Sequence, residues 1–226
     1  MTFSIKGRGR KQRRLDGEQE AHLLAILLGT VLFRKTSIKL FNFEQKPNMS
    51  VIICPGIHSS ESTDSFVQEI QISHNQDLPK NWLIFPTQQY PAYSAIDIYQ
   101  WLKKSEPVPN NSSPMIFIAF SAGVVGAIGA AKAWQMQGGK IKAFIALDGW
   151  GVPLVANFPI YRCSHDRFTH WSSAILGTGR ESFYADPAVA HLDLWRSPKA
   201  SWGWRVISPG FRTRCSLAHY LQSLII

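Results

Sequence analysis

One stretch of the chain leaves little freedom in how it can fold, because a short apolar run passes through a single serine into a region rich in Ala and Gly. The run is 115–120 (MIFIAF), the serine is Ser121, and the small residues extend over 122–137 as far as Gly138 and Gly139. A β-rich run of this length predicts a buried strand, and the Ala-rich stretch predicts a helix that the glycines end. Since no residues are left for a loop, the chain has to turn sharply at Ser121.

Short apolar runs and longer helical stretches alternate on both sides of this turn. Strands are predicted at 51–54 (VIIC), 82–85 (WLIF) and 141–147 (IKAFIAL), with a weaker one at 158–163; helices are predicted at 62–73 and 93–104. Residues 168–185 are interpreted as an aromatic loop, 187–194 as a short helix or turn, and 216–226 as a helix. This alternation predicts an α/β fold with a mostly parallel central sheet and flanking helices.

Charge divides the chain into three parts. Residues 1–48 carry ten Lys or Arg against four acids, residues 49–195 carry nine against eleven, and residues 196–226 carry five against none. A duplex-binding domain needs its basic surplus on a folded face, so the near-neutral middle argues against specific nucleic-acid binding. We therefore predict a basic, partly apolar N-terminal extension at 1–48, one α/β domain at 49–205, and a C-terminal tail of undecided fold at 206–226.

The N-terminal extension has some features of a signal peptide but not the full pattern. Basic residues at 6–14 precede the apolar run 21–33, but three acids intervene, and the run is shorter than the roughly 20 residues that span a bilayer. The three cysteines, Cys54, Cys163 and Cys215, are far apart and form neither a C-x-x-C pair nor a zinc-binding pattern with a nearby histidine. We expect a reduced, cytoplasmic setting, with membrane contact only through residues 1–48.

The turn at Ser121 has the composition of a nucleophile elbow. In such a turn the serine Oγ projects above the carboxyl end of the sheet, and small neighbours let the helix begin directly against the strand. Ala119 and Gly123 are the small neighbours here. The N–H of Ala122 would be among the first, unpaired amides of the helix and could bind an oxyanion. The alternative interpretation is structural, with Ser121 capping the helix.

On these residues the chain resembles the α/β-hydrolase family, whose elbow is usually written G-x-S-x-G. The A-x-S-x-G form occurs in lipase-like members, and the resemblance covers roughly residues 49–195. It implies a second oxyanion-binding amide in the loop after an earlier strand. In this chain that loop is Pro55-Gly56-Ile57-His58. Ile57 is predicted to supply the amide, and His58 could line the mouth of the pocket. The chain is short of the family's opening antiparallel strands and of a strand before the histidine, which predicts a compact, incomplete version of the fold.

A serine nucleophile needs a base and an orienting acid, which the family places in the order Ser, then Asp or Glu, then His. Asp148 and Asp166 each follow a predicted strand, and the family's usual place for the acid favours Asp166. Asp148 is the alternative acid, unless it binds amides of the turn that follows it. His191 is the predicted base, since His170 is too near Asp166 and His219 lies in the tail.

The resemblance implies a serine hydrolase that acts on a carboxylic ester or thioester of a small molecule and needs no metal or organic cofactor. Aromatic residues around the predicted acid and base would either form a lid or pocket wall or simply pack in the core; they are Phe168, Trp171, Phe183, Tyr184 and Trp195. Two other functions stay open on the sequence: a catalytically inactive binding protein on the same fold, and an acyltransferase that uses the same site.

Overall fold

The computed structural model describes residues 49–72, 78–106, 113–177 and 179–226. The chain divides into two units, Met1–Gln45 and Lys46–Ile226. The predicted N-terminal extension, with its basic and apolar runs, lies outside the described residues. Within the described ranges, no helix combines the length and the apolar character needed to cross a membrane.

The described residues form one eight-stranded sheet with six α-helices around it. The strands are β1 (Ser50–Cys54), β2 (Asn81–Ile84), β3 (Met115–Phe120), β4 (Ile141–Leu147), β5 (Ile160–Ser164), β6 (Glu181–Ala185), β7 (Trp202–Ser208) and β8 (Phe211–Ser216). The helices are α1 (Ser60–Gln71), α2 (Ala95–Ser105), α3 (Ala122–Met136), α4 (Arg167–Ser173), α5 (His191–Arg196) and α6 (Leu217–Ile225). The predicted α/β class and its first four strands are confirmed, with shifts of at most one residue at the strand ends.

The order of strands across the sheet is β2-β1-β3-β4-β5-β6-β7-β8. Strands β1 to β6 are parallel, and β7 and β8 continue the sheet as an antiparallel pair. The chain leaves β1 toward β2 and then crosses back to β3 on the other side of β1. In open α/β sheets, ligands bind outside the carboxyl ends of the strands at such a reversal. The loops after β1 and β3 are therefore the expected place for a site.

Apolar residues fill both faces of the sheet. On one face, alternate residues of β1, β3 and β4 pack with α1, α5 and α6; on the other face, the intervening residues pack with α2 and α3. Strand β3 lies between β1 and β4, and all six of its residues are buried. Burial on both faces explains why these strands are continuous apolar runs without polar alternation. It also holds the ends of β1, β3 and β4 in fixed positions.

Two interpretations made from the sequence are wrong. The region predicted as an aromatic loop contains helix α4 and strand β6, so the histidine at 191 does follow a strand. The predicted domain boundary after residue 205 falls inside β7, and the tail is not a separate segment. Helix α6 places Tyr220 and Leu221 in the core that packs against β6. The residues from 206 to 226 are thus part of the α/β domain.

Candidate active site

Ser121 is the single residue between β3 and α3. Its backbone has φ 52° and ψ −123°, a conformation that is strained for a residue other than glycine. Two hydrogen bonds hold this turn: the Ser121 N–H donates to the Leu147 carbonyl at 2.9 Å, and its own carbonyl accepts from Val124 at 3.0 Å. The side chain makes no capping hydrogen bond to the helix, so the structure does not support a capping role for Ser121. The chain therefore turns sharply from strand to helix at Ser121, as the sequence predicted.

Two glycines allow this turn to form. A Cβ on Gly123 would overlap the carbonyl oxygens of Cys54 and Pro55, because the first turn of α3 lies directly against the end of β1. A Cβ on Gly56 would lie 3.0 Å from the Cβ of Ser121. The loop after β1 therefore packs against the serine itself, at the reversal in strand order described above.

His191 is the first residue of α5 and contacts the serine. Its Nε2 lies 3.1 Å from Ser121 Oγ, although the two residues are 70 positions apart. The imidazole stacks on the ring of Phe120 with centroids 4.7 Å apart, and Phe120 stacks in turn on the buried Trp195 at 5.1 Å. These rings fix the orientation of an imidazole whose side chain is 49% exposed.

Asp148 is the carboxylate that reaches His191. It follows β4 directly, has φ 50°, and its side chain is 2% exposed. Its Oδ2 lies 2.8 Å from His191 Nδ1, and its Oδ1 accepts the backbone N–H of His165 at 2.9 Å. A carboxylate only accepts, so His191 Nδ1 carries the proton and Nε2 of the neutral ring is free to accept from the Ser121 hydroxyl. None of these bonds goes to the turn at 149–151, contrary to the structural alternative for Asp148.

Asp166, the acid preferred from the sequence, occupies a different place. Its Oδ1 accepts the N–H of Thr169 at 2.6 Å and so caps α4, while its Oδ2 lies 3.3 Å from Nε2 of His165. Among the described residues it makes no hydrogen bond to His191. Partial burial works to raise the pKa of the Asp166 carboxyl, but the bonds from Thr169 and the neighbouring His165 outweigh it and lower that pKa. The carboxylate is held by the helix that starts immediately after β5.

His165 belongs to the site and was not predicted. Its Nδ1 lies 2.8 Å from Asp148 Oδ2, the same oxygen that His191 contacts. The two imidazole rings lie 5.9 Å apart at 85°. One signal could have identified it: His165 comes directly after β5, as Asp148 comes directly after the neighbouring β4, and ends of adjacent parallel strands meet at one edge.

The two predicted oxyanion amides lie on the segments that meet at Ser121. Ala122 opens α3, so its N–H is among the first amides of a helix, which have no intrahelical acceptor. Ile57 follows Gly56 in the loop that packs against the serine, and its side chain is exposed. The ring of His58, next in the chain, lies beside this aromatic stack, with its centroid 5.6 Å from that of Phe120 and 6.0 Å from that of Trp195.

A cavity of about 240 Å³ opens beside this loop. Its lining combines apolar and polar side chains; the residues are Ile57, His58, Thr87, Gln88, Pro91, Ala92 and Tyr93. It is thus formed by the loops after β1 and β2, the first of which packs against the serine through Gly56. Pockets for drug-sized ligands measure roughly 300–1,000 Å³, so this cavity suits a smaller group.

The aromatic residues predicted to form a lid or wall separate into two groups. Phe183, Tyr184 and Trp195 are buried in the core, whereas Phe168 and Trp171 on α4 are 71% and 69% exposed. Trp150, in the loop after β4, is also exposed and donates from its indole N–H to Ser172 of α4 at 3.2 Å. Of the five aromatic residues predicted for the lid or wall, only the two on α4 are exposed.

Serine, imidazole and carboxylate therefore form one hydrogen-bonded series at the carboxyl edge of a mostly parallel sheet, an arrangement that can remove a proton from the serine hydroxyl. No protein-family model matches the chain, and no curated protein matches it.

Proposed function

We propose that this chain is a serine hydrolase of the α/β-hydrolase kind that cleaves carboxylic esters or thioesters. The observation that carries the proposal is the series Ser121 Oγ to His191 Nε2 at 3.1 Å and His191 Nδ1 to Asp148 Oδ2 at 2.8 Å. The strained backbone at Ser121 supports it, because strain of this kind is retained where a function requires it.

In the proposed reaction, Ser121 Oγ attacks the carbonyl carbon while His191 takes the hydroxyl proton on Nε2. His191 then returns that proton to the leaving alcohol or thiol, and an acyl-serine remains. Water, activated by the same imidazole, releases the acid and restores the serine. Asp148 holds the ring with the proton on Nδ1 and stabilises the imidazolium that forms. The amides of Ala122 and Ile57 would donate to the oxyanion.

The surroundings of the site favour a short acyl group and water as the acceptor. The cavity of about 240 Å³ beside Ile57 is small for a ligand pocket, and both Ser121 and the half-exposed ring of His191 are accessible to solvent. An acyltransferase has to keep water away from its acyl-enzyme. Hydrolysis is therefore proposed ahead of acyl transfer.

The proposal includes a small-molecule substrate and a reduced, cytoplasmic setting. Cys54, Cys163 and Cys215 are free thiols. Burial raises the pKa of the Cys54 and Cys163 thiols, which keeps them protonated and unreactive.

The test is labelling with a fluorophosphonate probe combined with hydrolysis of p-nitrophenyl esters. Wild type should take up one label per chain and cleave the acetate with higher kcat/KM than the octanoate. Ser121→Ala should not label and should lose at least about 10³-fold in kcat. Ser105→Ala, at the end of α2, should behave as wild type.

Other outcomes point to the other functions. A folded wild-type protein that neither labels nor turns over esters would be a binding protein on this fold. Transfer of the acyl group to an added alcohol in preference to water would identify an acyltransferase. Equal labelling of Ser121→Ala and wild type would remove Ser121 as the nucleophile.

A further inference from the structure

Two imidazole rings converge on one carboxylate oxygen at the candidate active site. Nδ1 of His165 and Nδ1 of His191 each lie 2.8 Å from Asp148 Oδ2. One ligand atom from each of the three residues lies within 4.8 Å of the others. A serine-histidine-aspartate site needs only one of these rings, so His165 is not explained by the proposed reaction.

Two imidazole nitrogens and a carboxylate oxygen are ligands that Zn²⁺ prefers. Zinc binds such atoms at about 2.0–2.2 Å in a tetrahedron, with its ligand atoms about 3.4 Å apart, and three protein ligands leave one position for water. Each Nδ1 atom would need to move about 0.6 Å away from Oδ2, and ligand atoms that lie up to 4.8 Å apart would need to approach to about 3.4 Å. The mixed nitrogen and oxygen set favours zinc over Mg²⁺ and Ca²⁺, which prefer oxygen ligands alone.

The surroundings of the three residues also suit a metal site. A ligating histidine usually donates its second ring N–H to a carboxylate, and Nε2 of His165 lies 3.3 Å from Asp166 Oδ2. The Asp148 side chain is 2% exposed and held by the His165 backbone N–H, whereas the two imidazole side chains are 25% and 49% exposed. The carboxylate is thus fixed in place, and an ion can enter from the histidine side.

We propose that Asp148, His165 and His191 bind Zn²⁺ reversibly, and that zinc in this site switches the hydrolysis off. The binding stands on this geometry alone, whereas the inhibition rests on the proposed function.

The reason for inhibition is the position of one proton. In the metal-free site, His191 carries its proton on Nδ1 and accepts from Ser121 with Nε2. Zinc takes the Nδ1 lone pair, so the single proton of the neutral ring moves through solvent to Nε2. That nitrogen then donates to Ser121 Oγ and can no longer accept its proton. With zinc on Nδ1 of His165, the proton of that ring is on Nε2, facing Asp166. A ring that carried two protons releases one of them to solvent when zinc binds, so the exchange balances.

Binding is tested by titrating ZnCl₂ into the full chain with a chromophoric zinc chelator as competitor. One zinc per chain should bind to wild type, and both His165→Gln and His191→Gln should weaken that binding by more than tenfold. Asp166→Asn should weaken it by about tenfold, because a carboxylate that supports a ligating histidine contributes that much. Ser121→Ala and His219→Gln, which removes an exposed imidazole on α6, should bind as wild type does. Circular dichroism checks that each variant is folded.

Inhibition is tested on p-nitrophenyl acetate by comparing rates with and without zinc within each variant. Wild type should lose most of its rate with ZnCl₂, recover it with EDTA, and be unaffected by MgCl₂. His165→Gln should lose little at the same zinc concentration, whatever its own rate.

The outcomes separate the two proposals. If both His165→Gln and His191→Gln bind zinc as tightly as wild type does, the metal site is overturned. If either glutamine variant is unfolded, the zinc affinity of Asp166→Asn provides a milder check. Zinc binding at these residues with an undiminished rate would overturn the switch. If no ester is cleaved but zinc binds as expected, the metal site stands and the hydrolase proposal fails.

Discussion

Asp148 Oδ2 lies 2.8 Å from Nδ1 of His191, 43 positions further along the chain. The contact forms because Asp148 stands at the carboxyl end of β4, while the loop after β6 returns over the same edge of the sheet. Val189 in that loop donates its N–H to the His165 carbonyl at 3.0 Å, which ties the loop to the end of β5. The Asp148–His191 contact therefore connects the end of β4 with the segment after β6, across the end of β5 that lies between them.

The first prediction separates the two aspartates. Asp148→Asn should lower kcat by roughly 10³–10⁴-fold, because the amide does not hold His191 in the required tautomer. Asp166→Asn should leave kcat within a few-fold of the wild-type value. Because asparagine is also a good helix cap, this substitution should cost less than about 1 kcal/mol of stability. Rates on p-nitrophenyl acetate, in the presence of EDTA, provide the measurement. A larger loss in Asp166→Asn than in Asp148→Asn would restore Asp166 as the acid.

The second prediction concerns the ring beneath His191. Phe120→Leu removes the stack that orients the imidazole, so kcat should fall about tenfold, as expected for a misplaced catalytic group. Phe117→Leu is the matched control, since Phe117 is buried in the same strand but stacks on Phe144 on the opposite face of the sheet. Both variants should lose about 1–2 kcal/mol of stability. Equal kcat in the two variants would contradict an orienting role for Phe120.

The third prediction tests the close approach of α3 and β1. Gly123→Ala puts a methyl group against the backbone carbonyls of Cys54 and Pro55, which cannot rotate away. Overpacking of this kind costs about 3 kcal/mol, more than the roughly 1 kcal/mol that alanine gains over glycine in a helix. Urea unfolding should therefore show a large loss for Gly123→Ala and almost none for Val125→Ala, an exposed site on the same helix. A neutral Gly123→Ala would mean that the helix is not in contact with β1.

The fourth prediction is a pH dependence of stability. Burial, together with the nearby Arg162 cation, lowers the pKa of His170 from its ordinary value of 6.5 to about 4. Between these values the unfolded chain binds a proton that the folded chain does not bind, so stability falls as the pH drops through this range. The urea midpoint of wild type should be lower at about pH 5 than at about pH 7.5.

The variant His170→Phe tests the origin of that fall. Phenylalanine keeps a ring beside Tyr184, which lies 5.0 Å from the His170 ring, and removes the titrating group. His170→Phe should therefore lose less stability than wild type on acidification, whereas His219→Gln should lose as much. The attribution to His170 fails if all three proteins lose the same amount.

Local composition was sufficient to predict the centre of the fold. Strand β3, the turn at Ser121 and helix α3 are specified within 22 consecutive residues (115–136), where an apolar run, a sharp turn and small residues each favour the observed conformation. Strand β6 was missed because its sequence, ESFYA, is short and half polar. It becomes a strand through ladders with β5 and β7, whose residues are distant in sequence, and strand propensity depends on such neighbours.

By itself, the sequence determined the α/β class, the sharp turn that presents Ser121, and the candidacy of His191, because these depend on the order and composition of neighbouring residues. Only the tertiary structure decided which aspartate reaches His191, brought His165 to the same carboxylate, and made the C-terminal residues part of the core. The physical reason is that a carboxylate binds whichever donors lie within about 3 Å. For Asp166 these are the amides of the helix that follows it, whereas for Asp148 they are the imidazoles that two later strands carry to its edge of the sheet.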